Sequence, residues 1–501
     1  MAANLTKKSE WLESIHQALS SMHNENVQAQ LFSIYSIPES LKNCNLDAYM
    51  PRVVSIGPRF IGREDLLPME EVKLRCILTL LNRASNNPKE RLEACGEAVR
   101  TSVEVVRASY SPDMVELGKL SDLDLAKIML VDGCFLLELL ISKELDSQLE
   151  RSIPGPSAEL IYNDDVLSDL MLFENQIPIF VLYVLFQTLF PTQGGEGLVS
   201  RDWSTEEMIN IVVLSLLGYH NLEQPNLLKA THSPTILDLV RIAVNRRQVG
   251  EPYVVETRQE QQQRPKLNRC ALRLLTAGVT ILPEDKDSTG FSALSWLSDI
   301  FVVNSGKHMD NIPEAEGLDF YFDFYNNKLE IKQLHITKTT KAKWCNLIAM
   351  EHHQKIQCIQ TTYRPGSIYS SNSIWAALIF NDLICSADDV QFLKDKKIIV
   401  DHVNMSNQEL MEFFRKIPLG FDYRAVVDSN NYSQMVDNIN NFSKAFVIKR
   451  IWSTVWNSFT YRQEWLLRFL NRNYNLVATV ISLCTVVQTI YAIIAYQFPK
   501  K

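Results

Sequence analysis

The chain has 501 residues, 46% of them hydrophobic and 22% charged, so it can bury more than one ordinary core and is neither disordered nor collagen-like. Fifty basic against 58 acidic residues leave a formal net charge of -8 (50 minus 58), which argues against a chain that coats nucleic acid. Seventeen Gly and 19 Pro are too few for an all-β array that turns about every ten residues, and helices are expected to dominate.

The first twenty residues hold no apolar stretch like the core of a secretory signal, and 1–33 reads as an N-terminal amphipathic helix. Trp11, Ile15, Leu19 and Met22 instead line one face of an amphipathic helix. A helical sub-region is expected over 34–249. It contains the Pro- and Gly-rich run PRVVSIGPRFIG at 51–62, read as an ordered loop with one short strand. Helical patterns follow from Glu70, Lys73 and Leu74 to about Arg83, and from about Lys89 to Tyr110.

Ser121 and Asp124 form a capping-box pattern in front of the apolar run LAKIMLVDGCFLLELL, and a helix is expected over 121–144. Asp132 and Gly133 interrupt that run. A buried carboxylate needs a partner or a raised pKa, so Asp132 reads as a cap or buried hydrogen bond at a helix break, with a site acid as the alternative. Glu174, Asn175 and Gln176 make a second polar group between apolar runs, with Pro178 placed to open the next helix. This reads as a helix junction stitched by bonds from side chains to backbone.

The Gln-rich stretch 250–268 reads as a polar linker to a second sub-region at 269–451. There Lys328 to Ile336 alternates as one half-buried strand, and helices are expected over 342–353 and 374–385. An aromatic and basic segment at 452–475 carries Trp452, Trp456, Phe459, Arg462, Arg468 and Arg472. It leads to Leu476–Tyr496, 21 residues with no charge and a single Gln. At about 1.5 Å per residue that helix reaches roughly 30 Å, the thickness of a bilayer core, so a transmembrane helix is expected from Leu476 to Tyr496. The basic strip, the missing signal and the short QFPKK tail suit a tail anchor with a cytosolic body. Plasma membrane and endomembrane are not separated by this reading.

Nine scattered cysteines without a C-x-x-C pair argue against a disulfide framework or a structural zinc site. Glycosylation sequons occur at Asn4, Asn404, Asn431 and Asn441. No phosphate-binding Gly loop, G-x-S-x-G or H-E-x-x-H is present. Glu351, His352, His353 and Cys358 come nearest to a ligand cluster, but adjacent helical histidines point about 100° apart. Asp164 with Asp165, and Asp388 with Asp389, read as helix-start carboxylates, and Cys134 as an inert core thiol. No catalytic residue, cofactor, metal or nucleic-acid partner is expected.

Three stretches together resemble a known plant family, the domain of unknown function 247. They are PRVVSIGPR at 51–59 with Met69, Glu70 and Lys73, VDGCFLLELL at 131–140, and DLMLFENQIPIFVL at 169–182. The similarity continues through WCNLIAME at 344–351 and LICSADDV at 383–390 to the apolar C-terminal run. Family members commonly carry His just after the S-I-G-P turn, where this chain has Arg59, Phe60 and Ile61. The resemblance implies a membrane-associated plant protein without an accepted catalytic set, some grass members being assigned to self-incompatibility. It leaves Asp132, Glu174, Asn175 and Gln176 as buried polar motif positions.

The fold expected is mainly α: a multi-helix globular body with a few short strands and one C-terminal transmembrane helix. The function expected is protein recognition or signalling at a membrane, with membrane lipid and an unidentified protein as partners. An enzyme using Asp132 or Glu174 as a buried carboxylate is the alternative.

Overall fold

The computed structural model describes residues 34–149, 157–191, 205–219, 235–245, 265–284, 318–360, 372–420, 432–443 and 474–497. The helix expected over 1–33, the linker up to residue 264 and the 452–475 segment up to residue 473 lie outside the described residues.

The body is mainly helical. Helices α1 (Leu67–Ala84), α2 (Pro88–Thr101), α3 (Asp122–Leu149), α4 (Phe180–Leu189) and α5 (Thr205–Leu216) form the first group. α3 packs against the other four. Leu125, Met129, Cys134, Phe135, Leu137 and Leu139 are all buried along it. A helix apolar on every side belongs in the centre. Its start is set by Ser121, whose Oγ accepts from Asp124 N at 3.2 Å and donates to Asp124 Oδ2 at 2.7 Å.

The break expected at Asp132–Gly133 is absent, because α3 runs straight through it. Gly133 instead makes room. A Cβ there would stand 2.4 Å from Leu185 Cδ1 and 3.3 Å from Val181 Cγ1, so the missing side chain lets α4 lie close. The 51–62 stretch likewise contains no strand.

The second group comprises α6 (Ile236–Asn245), α7 (Thr340–Gln360), α8 (Asn372–Leu383), α9 (Ala387–Asp395) and α10 (Asn407–Lys416). Five short strands accompany it: β1 (Thr280–Pro283), β2 (Phe322–Tyr325), β3 (Lys328–Ile331), β4 (Leu334–Ile336) and β5 (Ile399–Asp401). β3 pairs parallel with β1 and antiparallel with β2, while β4 and β5 form a separate parallel pair. Asn326 and Asn327 take φ of 49° and 57° between β2 and β3. Two left-handed residues in a two-residue turn match the twist of a hairpin. The single strand expected over 328–336 is thus two strands in different sheets.

Trp344 anchors this group, its ring lying among Phe320, Phe380 and Phe414 while Nε1 donates to Ser373 O at 2.9 Å. Asn346, two residues on, ties the groups together. Its Oδ1 accepts from Phe173 N at 2.8 Å, and its Nδ2 donates to Ala48 O and Ala342 O, both at 2.8 Å. One hydrophobic core runs through both groups.

Helix α11 (Tyr474–Gln497) closes the described chain. Val480, Ile481, Leu483, Val486, Val487, Ile490 and Ile493 on it are all exposed. The transmembrane helix expected over 476–496 does not emerge as a span. Among the described residues no helix is long and apolar enough to cross a membrane.

Gly133 and Gly96 both sit inside helices but differ in surroundings, a Cβ at Gly96 meeting only Leu130 Cδ2 at 3.9 Å. Gly96→Ala should stabilise the fold by about 0.5–1 kcal/mol through helix propensity. Gly133→Val should cost about 1–3 kcal/mol by overpacking α4. Denaturant midpoints of the two variants check the contrast.

Candidate functional site

The 51–59 segment passes through the interior with Val54, Ser55, Ile56 and Gly57 buried and no strand beside it. Buried N–H groups must still find acceptors, and here side chains supply them. Asp169 takes three: Arg52 N at 3.0 Å on Oδ1, then Val53 N at 2.7 Å and Val54 N at 2.9 Å on Oδ2. Asn175 Oδ1 accepts from Ile56 N at 2.7 Å, and Asn175 Nδ2 donates to Val54 O at 3.1 Å and Asp169 O at 2.9 Å. Asp132 Oδ2 accepts from Gly57 N at 2.7 Å.

Lys73 completes this group from α1. Its Nζ donates to Asp132 Oδ1 at 2.6 Å, Ser55 O at 2.6 Å and Glu70 Oε1 at 2.7 Å, which uses all three of its donors. Burial works against the Lys73 charge, yet Asp132 and Glu70 hold its pKa above the ordinary lysine value.

Gln176 and Glu174 fasten the margins. Gln176 Nε2 donates to Leu170 O at 2.7 Å and Leu172 O at 2.9 Å, while Tyr110 OH donates to Gln176 O at 3.0 Å. That carbonyl would lie 2.4 Å from a Cβ at position 57, where φ is +79°, so only glycine fits the turn. Glu174 accepts from Ile37 N at 2.8 Å and pairs with Lys42 at 2.9 Å and with Arg59 at 3.4 Å. Arg59 also reaches Glu116.

Asp132, Glu174, Asn175 and Gln176 therefore meet around one buried stretch of backbone. Leu476 and Tyr496 fall within α11, outside its described side chains. Sequence reasoning missed Asp169, the chief acceptor, and the structural part of Lys73. A signal for Lys73 existed: it shares the buried face of α1 with Met69, Cys76, Ile77 and Leu80. A lysine on an apolar stripe asks for a buried partner.

The other candidates are engaged elsewhere. Glu351 accepts from Ser373 N at 3.0 Å and Ile374 N at 2.9 Å at the start of α8. Beside it, the His353 ring centroid lies 3.8 Å from that of Tyr35, and burial pulls the His353 pKa down to about 4. Asn163 caps the 164–169 helix, and Asp165 pairs with Arg52 at 3.0 Å. Asp389 closes a capping box with Ser386 and accepts from Leu272 N at 3.0 Å. Cys134 is buried, which pushes its thiol pKa up. Among the described residues no group of three or more His, Cys, Asp or Glu side chains could hold a metal ion. The carboxylates of the site are spent on backbone amides, Lys73, Lys42 and Arg59.

Two outcomes are expected. Lys73→Met leaves the Asp132 charge buried without its cation and should cost about 3–5 kcal/mol, part of it recovered in Lys73→Met/Asp132→Asn. A double-mutant cycle in urea measures the coupling. The second concerns Glu351, pushed up to about 7 by burial against the pull of two N–H groups. The native state then holds a proton that the unfolded chain releases near about 4.3, so stability falls as pH rises from there to about 7. Glu351→Gln should flatten that slope, and an unaltered slope in unfolding measured from pH 4.5 to 7.5 would refute the assignment.

A family model described as plant protein of unknown function, the domain of unknown function 247, matches residues 34–488. The chain is 25% identical over 483 residues to the UPF0481 protein At3g47200 of Arabidopsis thaliana, covering 93% of this chain and 87% of that relative. It is 27% identical over 176 residues to the putative UPF0481 protein At3g02645 of the same plant, covering 34% of this chain and 30% of that one. No solved structure matches. With nine-tenths of its length inside the family model, the chain belongs to the plant family called domain of unknown function 247, whose function is not established.

Proposed function

We propose that the protein is a membrane-anchored recognition or signalling component, with a helical body on the cytosolic face held there by the 476–496 helix. The observation that carries this reading is the state of α11. It presents large aliphatic side chains to solvent along its described length. An exposed apolar surface of that kind calls for a partner or a lipid phase. Three of its hydroxyls bond within the helix: Ser482 Oγ donates to Ala478 O at 2.9 Å, Thr485 Oγ1 to Ile481 O at 2.6 Å, and Thr489 Oγ1 to Thr485 O at 2.7 Å. That arrangement lets a helix leave water without orphaned donors. The charge-free run from Leu476 to Tyr496 and the basic residues Arg462, Arg468 and Arg472 before it support the same reading. The body acts by binding a protein partner, because the acids that could have served a reaction hold its own backbone. Cell recognition in plants, self-incompatibility included, is the setting this reading favours.

The test is membrane extraction together with a topology reporter. Full-length protein should stay with membranes through alkaline carbonate, and protein lacking 474–501 should not. A full chain released by carbonate would sink the proposal. Asn404 is the better native reporter of side, being exposed with φ of +60° before α10, whereas the Asn441 sequon has its Ser443 buried. Asn404 should carry no glycan, and a glycan there would place the body in the lumen.

A further inference from the structure

His335 and His402 come together on the β4–β5 pair. His335 lies opposite Val400 in the parallel register, and His402 N donates to Ile336 O at 2.9 Å, so the backbone holds both residues. Their rings are nearly parallel, with centroids 5.1 Å apart, and His335 Nδ1 stands 2.9 Å from His402 Nε2 at an exposed contact.

A chain of hydrogen bonds orients the first ring. Gln333 Nε2 donates to Lys397 O at 2.9 Å, which turns Gln333 Oε1 toward His335 Nε2 at 3.2 Å. His335 therefore carries its proton on Nε2 and offers the Nδ1 lone pair to His402 Nε2. This is how outer groups fix metal-binding imidazoles.

We propose that His335 Nδ1 and His402 Nε2 form a site for a borderline divalent cation of the zinc and copper class. Two nitrogens each about 2.0–2.1 Å from one cation, at angles from square to tetrahedral, lie about 2.8–3.4 Å apart. The observed separation falls in that range, and a turn of each ring off the line between the two nitrogens, the His402 ring exposed and the His335 ring half-buried, makes their lone pairs converge. The cation replaces the hydrogen bond between them, and the proton that His402 Nε2 donated moves to Nδ1 of the same ring. Asp401 is no ligand here, because Oδ1 accepts from Val403 N at 3.0 Å and Oδ2 faces Lys394 Nζ at 3.3 Å. Water fills the remaining positions, which leaves the cation open to a further ligand.

The probe is Zn2+ titrated by calorimetry into tag-free full-length protein in detergent, with Cu2+ for spectroscopy. His335→Asn and His402→Asn should each weaken one Zn2+ equivalent at least tenfold. Gln333→Leu should weaken it about tenfold by freeing the His335 ring. The wild-type 1:1 Cu2+ complex should show hyperfine coupling to two imidazole nitrogens, a readout that needs no variant to fold. Zn2+ affinity and stoichiometry unchanged in both histidine variants would overturn the site. So would binding weaker than millimolar, or a Cu2+ spectrum without two imidazoles.

Discussion

An irregular stretch of chain cannot cross the interior of a helical body unless each of its amides finds an acceptor there. Five of the six amides from Arg52 to Gly57 are met by side chains of Asp169, Asn175 and Asp132. Each of those side chains must be delivered by another element at hydrogen-bond precision. The unbroken run of α3 presents Asp132, the end of the 164–169 helix presents Asp169, the turn after it presents Asn175, and α1 brings Lys73 to balance charge. An unmade bond here costs about 1–3 kcal/mol, so the arrangement is kept as a unit. Gly57 and Gly133 serve it by absence of bulk, one beneath a carbonyl and one beneath a neighbouring helix.

Much of the helical plan is visible in the sequence because apolar residues repeat with helical period and caps have local signatures. Ser121 with Asp124 shows this well. Polar letters inside apolar runs also stand out in one dimension, which is why Asp132 and Glu174 to Gln176 attract notice. Their partners do not, since they lie 59, 75 and 119 residues away for Lys73 to Asp132, Gly57 to Asp132 and Ile56 to Asn175. Gly133 reads as a helix break because glycine lowers helix propensity by about 1 kcal/mol, and the packing of α4 outweighs that. The split of 328–336 had a trace. Leu329 and Ile331 face the core at odd positions, Leu334 and Ile336 at even ones, and a strand cannot change parity without breaking.

A carboxylate bonded to three amides has its lone pairs committed, and burial pushes Asp169 up to about 6 against their pull. Such a group answers to folding before it answers to any ligand. The parts of the molecule that face outward are of another kind: an apolar helix at α11 and a histidine pair at the end of a short sheet. The proposed recognition role falls to surfaces like these, carried by a frame whose polar interior holds its own backbone.

The distance in sequence between the 51–59 segment and its acceptors sets a schedule for synthesis. Ile56 emerges from the ribosome 119 residues before Asn175, on the order of ten seconds at usual elongation rates. Through that interval its amides have only water or the wrong acceptors. Asn346, whose bond to Ala48 spans 298 residues, arrives later still. The 51–59 segment therefore cannot be buried with its amides satisfied until the Glu174–Gln176 turn has been made.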